Sequence, residues 1–194
     1  KAFGHFQRLL AQYPAEELSE TIPNFHNTPV RFETFKKAVE EDVCGRAASV
    51  KEEIQFVLDR ENELGVAMEM QKDGRLPLRV THNDTKLNNI MIDDATGQAL
   101  CIIDLDTIMP GFSIFDYGDS IRFGANTAEE DEPDVSKVSL SLPLFDIYTK
   151  GFLEGCEGRL TEEEINMLPM GAKLMTMECG IRFLTDYLQG DVYF

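Results

Sequence analysis

Apolar residues recur at intervals of three and four along the first part of the chain, as in helices that bury one face. This spacing predicts helices over residues 1–13 and from Arg31 to about Cys44, with residues 14–30 as a proline-containing loop between them. A third helix is expected to start after Ser49, a suitable N-cap, and to fade by Asp73-Gly74. The pattern predicts a helical hairpin here, without chemistry of its own.

The last third of the chain returns to helical spacing. Apolar positions predict a helix over Leu140–Leu153. Thr161–Glu164 has the sequence of a capping box, which predicts the start of another helix. Residues 172–189 are predicted to form a separate final helix.

Between these helical regions the period changes to that of β-structure. Leu76–Thr81 is predicted as a short strand, and Asn89–Asp93 and Ala99–Asp104 as two strands joined by a turn over residues 94–98. Their content of Ile, Leu and Val predicts that the strands are buried, and the stretch that follows them is expected to be irregular. The chain is thus predicted to have an α+β fold, mainly α, with a small β-hairpin sheet.

The formal charge of the chain is −17, which is high for 194 residues. Such a surface disfavours DNA or RNA as a partner, because phosphate backbones are bound through Lys and Arg. It is compatible with a nucleotide, whose phosphates a metal ion can bridge to carboxylates. The acidic run Glu129–Asp134 is expected to be a solvated loop.

The four cysteines lie far apart and form no Cys-x-x-Cys pair, so no zinc motif is present. They are expected to be buried, reduced thiols of a cytoplasmic protein. The sequence contains no apolar run of the roughly 18 residues that a membrane span needs, and no signal peptide, so we expect no membrane partner.

Polar residues around the predicted hairpin have the spacing that phosphoryl transfer needs. One carboxylate must orient and deprotonate the acceptor hydroxyl, and a second carboxylate must hold Mg²⁺ together with an amide oxygen. Asp84 follows one predicted strand, Asn89 starts the next, and Asp104 ends its partner. Because a hairpin brings these side chains to one end of the sheet, the sequence predicts that they share a site.

Three segments carry a resemblance to a known family: His82–Asn89, Ile102–Asp106 and Asp116–Gly124. They resemble the catalytic core of the protein-kinase-like superfamily, in its aminoglycoside phosphotransferase and choline kinase branch. Within that branch they are similar to the N-acetylhexosamine 1-kinases, which phosphorylate the anomeric hydroxyl of N-acetylglucosamine or N-acetylgalactosamine. The resemblance covers nearly the whole chain and implies the C-terminal lobe of a kinase-like fold, ATP and Mg²⁺ as cofactors, and a small-molecule acceptor, most simply an amino sugar.

Two alternatives to this interpretation stay open. The acceptor could be choline, ethanolamine, homoserine or an aminoglycoside, and a cationic acceptor would suit the acidic chain. The protein could also be a kinase-like binding protein without catalysis, although such proteins are expected to lose one of Asp84, Asn89 and Asp104, which are all present.

The resemblance implies a role for each residue of the motifs that match. Asp84 matches the catalytic base. Asn89 and Asp104 match the residues that bind Mg²⁺ and, through it, the phosphates of ATP. Asp106 either joins this metal site or braces its loop.

The remaining motif residues are expected to support the reaction. Lys86 matches a lysine placed over the γ-phosphate. His82, grouped with the catalytic residues, matches a histidine that anchors the catalytic loop through hydrogen bonds. Asp116 and Asp119 are expected to anchor loops more than to take part in chemistry.

Recognition of a sugar needs an aromatic face and polar groups for its hydroxyls. The resemblance implies Phe123, Arg182 and Tyr193 as contacts of the acceptor. An ordinary core phenylalanine and a surface arginine are the alternative interpretation of the first two.

One part of a complete kinase is not found in the sequence. There is no Gly-x-Gly-x-x-Gly loop and no strand lysine of the Val-Ala-x-Lys type. We therefore expect an amino-terminal, ATP-binding lobe of the same protein to precede Lys1, with residues 1–194 forming the C-terminal catalytic and acceptor-binding lobe. The isolated chain is then expected to bind ATP weakly and to be slow or inactive.

Overall fold

The computed structural model describes residues 1–130 and 132–193. These residues divide into two compact units. The first unit comprises residues 1–23 and 77–173, and the second comprises residues 24–76 and the chain from residue 174 onward.

The described residues form eight α-helices and four short β-strands, numbered in chain order. The helices are α1 (Ala2–Leu9), α2 (Thr28–Glu41), α3 (Lys51–Leu58), α4 (Glu61–Leu64), α5 (Val66–Lys72), α6 (Ser113–Gly124), α7 (Leu142–Cys156) and α8 (Glu162–Gln189). The strands are β1 (Arg79–Thr81), β2 (Ile90–Ile92), β3 (Ala99–Ile102) and β4 (Met109–Gly111). The prediction of a mainly α, α+β fold of the kinase-like C-terminal-lobe type is confirmed.

Two antiparallel strand pairs in the first unit frame the polar motifs. In β1–β4, Thr81 pairs with Met109, and in β2–β3, Ile90 pairs with Ile102. His82 therefore follows β1 directly, and Asn89 immediately precedes β2. The predicted hairpin is confirmed, and the pairing of β1 with β4 is an addition that the sequence did not predict.

Helix α6 forms the centre of the first unit, where an irregular stretch was expected. All of its residues from Ser113 to Ile121 are buried, polar ones included. A Cβ atom on Gly118 would lie 2.3 Å from the carbonyl oxygen of Gly171, so only glycine permits this approach of α6 to α8. The ring of Tyr117 packs edge-on against Phe152 of α7, with ring centres 5.3 Å apart. A buried helix that carries carboxylates lacks the apolar periodicity from which helices are predicted.

The second unit has an apolar core of its own, contributed by α2, α3, α4 and α8. The buried side chains that form this core are Phe32, Phe35, Ala38, Ile54, Val57, Leu64, Ile181 and Leu188. The apolar spacing that predicted these helices thus falls mostly on buried positions, although Val43, beyond the end of α2, is 65% exposed.

Several predicted helix ends were wrong for local reasons. Helix α1 ends at Leu9, and α2 begins at Thr28, where the side chain of Asn27 accepts the N–H of Val30 at 3.3 Å. Pro29 is tolerated in the first turn, since the N–H groups there have no partner within the helix. The predicted third helix is divided into α3, α4 and α5. Ser49 does not cap it, because its hydroxyl donates to the carbonyl of Arg46.

The capping box is confirmed, but the helix after it is longer than predicted. The N–H of Glu164 donates to Thr161 Oγ1 at 3.1 Å, and the N–H of Thr161 donates to Glu164 Oε2 at 2.8 Å. From there α8 continues through Pro169 to Gln189, where two separate helices were predicted.

The predicted burial of the strands and of the cysteines was wrong in part. Met91 of β2 and Leu100 of β3 are 50% and 63% exposed. Cys44 and Cys101 are exposed, whereas Cys156 is buried, and all the cysteines are free thiols. Apolar composition does not show which face of a two-stranded sheet is covered.

Two further expectations concern the surface. Glu129 and Glu130 of the acidic run are exposed, and Asp131 lies outside the described residues. Within residues 1–130 and 132–193, no helix has both the length and the apolar character needed to cross a membrane.

Candidate active site

The imidazole of His82 joins the segment after β1 to the segment after β3. Its Nε2 donates to the carbonyl of Ile103 at 3.0 Å, and its Nδ1 accepts the N–H of Asp84 at 3.3 Å. These partners set the tautomer with the proton on Nε2, because a carbonyl only accepts and an amide only donates. The ring is fully buried, with Phe3 and Phe6 edge-on at 5.4 and 6.0 Å. This geometry suits an anchor of the loop rather than a group that exchanges protons with a substrate.

Asp84 is held on one side by two donors and is open on the other. Its Oδ2 accepts Asn89 Nδ2 at 2.8 Å and Lys86 Nζ at 2.9 Å. Asn89 Nδ2 also donates to the backbone carbonyl of Asp84 at 2.8 Å. Within the described part of the chain, no hydrogen bond reaches Asp84 Oδ1, and 28% of the side chain is exposed. A fixed carboxylate with one uncommitted oxygen can accept a proton from a bound hydroxyl.

The strand hairpin places Asp104 beside this loop. The N–H of Ile103 donates to the carbonyl of Asn89 at 3.0 Å, so the residue that precedes Asp104 is bonded to the residue that orients Asp84. Asp104 has a left-handed backbone, with φ of 61°, and its side chain is exposed. A non-glycine residue in this conformation is uncommon and is found more often at functional sites.

Lys86 lies within electrostatic reach of three carboxylates. The pKa of Lys86 is raised above its usual value, first by the hydrogen bond to Asp84 and further by the negative charges of Asp84, Asp104 and Asp119, against the opposing effect of burial. Lys86 is therefore a permanent cation at this end of the hairpin. A cation among carboxylates is suited to contact a phosphate that carries its own metal ion.

The predicted metal ligands are only partly brought together. Asn89 and Asp104 lie on directly bonded backbone segments. Asp106 is exposed in a short 3₁₀ turn, and no hydrogen bond or ion pair of its carboxylate is found in the described residues. Nor do those residues contain a cluster of three or more His, Cys, Asp or Glu side chains arranged to hold a metal. A Mg²⁺ site made of one or two carboxylates, an amide oxygen and several waters would contain fewer than three such side chains.

Thr107 and Asn83 tie the two loops together and were missed from the sequence. Thr107 Oγ1 donates to the carbonyl of His82 at 2.7 Å, and Asn83 Nδ2 donates to the carbonyl of Thr107 at 2.8 Å. Asn83 also has a positive φ of 66°, so the loop is sharply turned at this residue. Neither an asparagine nor a threonine at these positions indicates a functional site from the sequence. Asn83 and Thr107 are brought together only by the pairing of β1 with β4.

Asp116 and Asp119, both on α6, bind the loop that follows β1, as expected of anchors. The carboxylate of Asp116 accepts the N–H groups of His82 at 3.0 Å and Asn83 at 2.8 Å, and Gln7 Nε2 at 2.6 Å. Complete burial raises the pKa of Asp116, while these hydrogen bonds act in the opposite direction. Asp119 Oδ2 accepts the N–H of Thr85 at 2.7 Å.

The predicted acceptor contacts lie in different units. Phe123 is half-buried near the end of α6 in the first unit. In the second unit, the guanidinium of Arg182 lies 5.7 Å from the ring centre of Tyr193, which is 76% exposed. The backbone N–H of Tyr193 donates to Asp186 Oδ1 at 2.9 Å, which fixes the chain at this point. The structure thus brings Arg182 and Tyr193 together.

The second unit also has an apolar groove of about 740 Å³ between α3 and α8. Aromatic side chains line it, among them Phe56, Phe183 and Tyr187. Arg182 and Tyr193 are not part of its lining.

Comparison with known protein families matches the greater part of the chain. Residues 1–140 fit the model of the phosphotransferase enzyme family. The match includes the loop from His82 to Asn89, the β2–β3 hairpin, Asp104 and the whole of α6.

Proposed function

We propose that this chain, which belongs to the phosphotransferase enzyme family, transfers the γ-phosphoryl group of ATP to a hydroxyl of a small molecule, with Asp84 as the base. The observation that carries the proposal is the geometry of Asp84. Its Oδ2 is held by Asn89 and Lys86, and its Oδ1 has no partner in the described residues. This is the arrangement that a base needs in order to orient and deprotonate a hydroxyl.

In the proposed reaction, the acceptor oxygen forms a bond to the γ-phosphorus as the bond from that phosphorus to the bridging oxygen of ADP breaks. The acceptor proton passes to the carboxylate of Asp84, and ADP leaves with the bonding electrons. Lys86, which lies beside Asp84, balances the charge of the transferring group. The reaction needs no covalent intermediate on the protein.

The residues present fit a Mg²⁺ ion. Among the described residues, the side-chain hydrogen bonds of Asn89 are made by its nitrogen, so its oxygen is directed away from Asp84 and is available as a hard ligand. Asp104 would supply the carboxylate, and Asp106 is the candidate for a further one. When bound, the ion would neutralise phosphate charge and orient the γ-phosphoryl group.

We propose an N-acetylhexosamine as the acceptor, phosphorylated at its anomeric hydroxyl. The support is the similarity of the three motifs to the N-acetylhexosamine 1-kinases, together with the pairing of Arg182 and Tyr193, which offers a hydrogen-bond donor beside an exposed aromatic face. Phe123 is the proposed third contact. These are the groups with which proteins bind the hydroxyls and the C–H face of a sugar.

The proposal assigns residues 1–194 to a C-terminal lobe, with the adenine end of ATP held by an amino-terminal lobe of the same protein. The support is that the sequence has neither a glycine-rich phosphate loop nor the strand lysine of complete kinases. The chain by itself is then expected to bind ATP weakly and to turn over slowly. Rapid turnover by these residues alone, comparable to that of a complete enzyme of the family, would contradict this assignment.

The experiment is a coupled ADP-release assay with Mg²⁺-ATP on the complete protein. The acceptors are N-acetylglucosamine, N-acetylgalactosamine, choline, ethanolamine, homoserine and an aminoglycoside. We expect turnover with the amino sugars and a loss of about 10²–10⁴-fold on Asp84→Asn, with an unchanged melting temperature. The matched control is Asp94→Asn, which changes an exposed carboxylate in the turn of the β2–β3 hairpin.

The outcomes separate the parts of the proposal. If the protein prefers an amine such as choline as its acceptor, the proposed acceptor is wrong, but the proposed kinase activity stands. Full activity of Asp84→Asn would show that Asp84 is not the base. If none of these acceptors is phosphorylated, the proposed kinase activity is rejected.

A further inference from the structure

The segment that contains Asp84 is held on both sides by carboxylates that lie one helical turn apart on α6. Before Asp84, Asp116 accepts the N–H groups of His82 and Asn83. After it, Asp119 Oδ2 accepts the N–H of Thr85 at 2.7 Å. Residues at i and i+3 of a helix lie on the same face, which allows both carboxylates to reach a single loop.

Arg122 completes the second of these contacts. Its Nε and Nη2 donate to Asp119 Oδ1 at 3.1 and 2.9 Å, so one oxygen of Asp119 binds the loop and the other binds the arginine. Only 7% of the Asp119 side chain and 18% of the Arg122 side chain are exposed. Because both arginine donors hold Oδ1, the other oxygen of Asp119 is left to face the N–H of Thr85.

The negative charge of Asp119 also affects Lys86. Asp119 is one of the carboxylates whose negative charge raises the pKa of Lys86. Without Arg122, a buried carboxylate beside Lys86 would lose its principal counterion and compete with Asp84 for the ammonium group. Arg122 is in turn paired with the exposed Glu130, in the segment that follows α6.

We propose that Arg122 is a positioning residue, which sets the direction of Asp84 and Lys86 through Asp119 and the N–H of Thr85. This inference rests on the proposed phosphotransfer function. Arg122 is not among the residues proposed to bind the substrate or the metal, and it acts by orienting Asp119, which holds Thr85, the residue between the base and the lysine. The secondary contacts agree with this, because Thr85 Oγ1 donates to the carbonyl of Asp116 at 2.6 Å and Ser120 Oγ donates to the carbonyl of Thr85 at 3.3 Å.

The first unit offers a matched control for loss of a buried ion pair. Arg79 Nε and Nη2 donate to Glu164 at 2.9 and 2.7 Å, and the two side chains are 15% and 0% exposed. Arg79→Gln therefore removes a two-donor arginine from a buried carboxylate, as Arg122→Gln does. It leaves the contacts of Thr85 and Asp119 in place.

The test measures amide hydrogen exchange at single residues, and steady-state kinetics, for Arg122→Gln and Arg79→Gln in the complete protein. We expect Arg122→Gln to accelerate exchange of the Thr85 amide by about tenfold or more while His82 and Asn83 keep their protection from Asp116. It should lower kcat by roughly 10- to 100-fold with both KM values changed less than about twofold. Arg79→Gln should lower the melting temperature without either effect.

Two results would overturn the proposal: Thr85 exchange unchanged in Arg122→Gln, or equal losses of kcat in the two variants. If Arg122→Gln does not fold, Arg122→Lys is measured instead, and it should show a smaller change in the same direction because it keeps the charge but not the fork. Exchange is recorded without substrate. A protein that phosphorylates nothing would therefore reject the proposed function, while the Thr85 result would still decide the structural part of this inference.

Discussion

The side-chain amide of Asn89 donates to both the backbone carbonyl and Oδ2 of Asp84, each at 2.8 Å. An amide has its nitrogen and oxygen on opposite sides, so this contact orients the Asn89 oxygen as well as the Asp84 carboxylate. The proposed base and a proposed metal ligand are therefore positioned by one interaction.

This link predicts different effects for Asp104→Asn and Asn89→Ala. Asp104→Asn removes metal-binding charge, and we expect the Mg²⁺ concentration for half-maximal turnover to rise by on the order of tenfold or more, with partial recovery of kcat at saturating Mg²⁺. Asn89→Ala should raise the Mg²⁺ requirement too, but its kcat should stay low at saturation because Asp84 is no longer oriented. The measurement is turnover as a function of Mg²⁺ concentration. Complete recovery of Asn89→Ala at high Mg²⁺ would show that its contact with Asp84 has no catalytic effect.

Lys86→Met should lower kcat by about 10²–10³-fold, because it removes a positive charge from the transferring phosphoryl group. Since the pKa of Lys86 is raised in the folded protein, the amine stays protonated through neutral and mildly alkaline pH. The pH profile of kcat/KM should then show no loss from this group below about pH 10. Lys72→Met, at an exposed position at the end of α5, is the control. A wild-type rate in Lys86→Met would exclude the lysine from the reaction.

Glu164 should make the stability of the first unit decrease at acidic pH. Burial by itself raises the pKa of Glu164, but hydrogen bonds from Arg79, the Thr161 N–H and Ser113 outweigh it, and the pKa lies below its usual 4.5. A carboxyl group whose pKa is lowered on folding stabilises the protein above the unfolded value, and this stabilisation is lost as the pH falls through the folded value.

Glu164→Gln should therefore lower the free energy of unfolding by about 3–5 kcal/mol near pH 7, because it leaves Arg79 without its partner. The difference from wild type should shrink as the pH falls below about 4.5. Urea unfolding between pH 3 and pH 7 measures this, with the exposed neighbour Glu163→Gln as the control. A difference that stays constant over the whole range would contradict the assigned pKa.

The cysteines should differ sharply in reactivity. Burial, with a smaller contribution from the charge of Glu164, raises the pKa of the Cys156 thiol to about 12. Cys44 and Cys101 are exposed. Since the thiolate is the species that reacts, iodoacetamide at pH 8 should modify Cys44 and Cys101 and leave Cys156 unmodified until urea unfolds the protein. Peptide mass spectrometry reads out each site, and early labelling of Cys156 would show that the first unit opens locally.

The sequence predicted which motif residues lie near one another better than it predicted the elements that carry them. Asn89 and Asp104 lie just beyond the paired ends of β2 and β3, so the hairpin alone is enough to place them together, whereas His82 and Asp84 follow β1, which pairs with β4. The capping box at Thr161 was likewise predicted, because both of its hydrogen bonds are local. The predicted roles of the motif residues, and of Phe123, Arg182 and Tyr193, remain predictions.

The pattern of apolar residues did not predict burial correctly where burial depends on residues distant in the chain. It predicted buried strands where the β2–β3 hairpin is exposed, and it missed α6, whose buried face carries carboxylates. The prediction of two separate helices after Thr161 was wrong too, because α8 continues through Pro169 to Gln189.

By itself, the sequence determined that Asp84, Asn89 and Asp104, the residues proposed for phosphoryl transfer, lie around a hairpin, because the spacing of neighbouring residues specifies short-range structure. Only the tertiary structure decided how Asp84 is held. The contacts that fix its loop join His82 to Asp116 and Thr85 to Asp119, each 34 residues apart in the chain. No local period encodes which buried carboxylate will face which backbone N–H, since that depends on how α6 packs against the loop after β1.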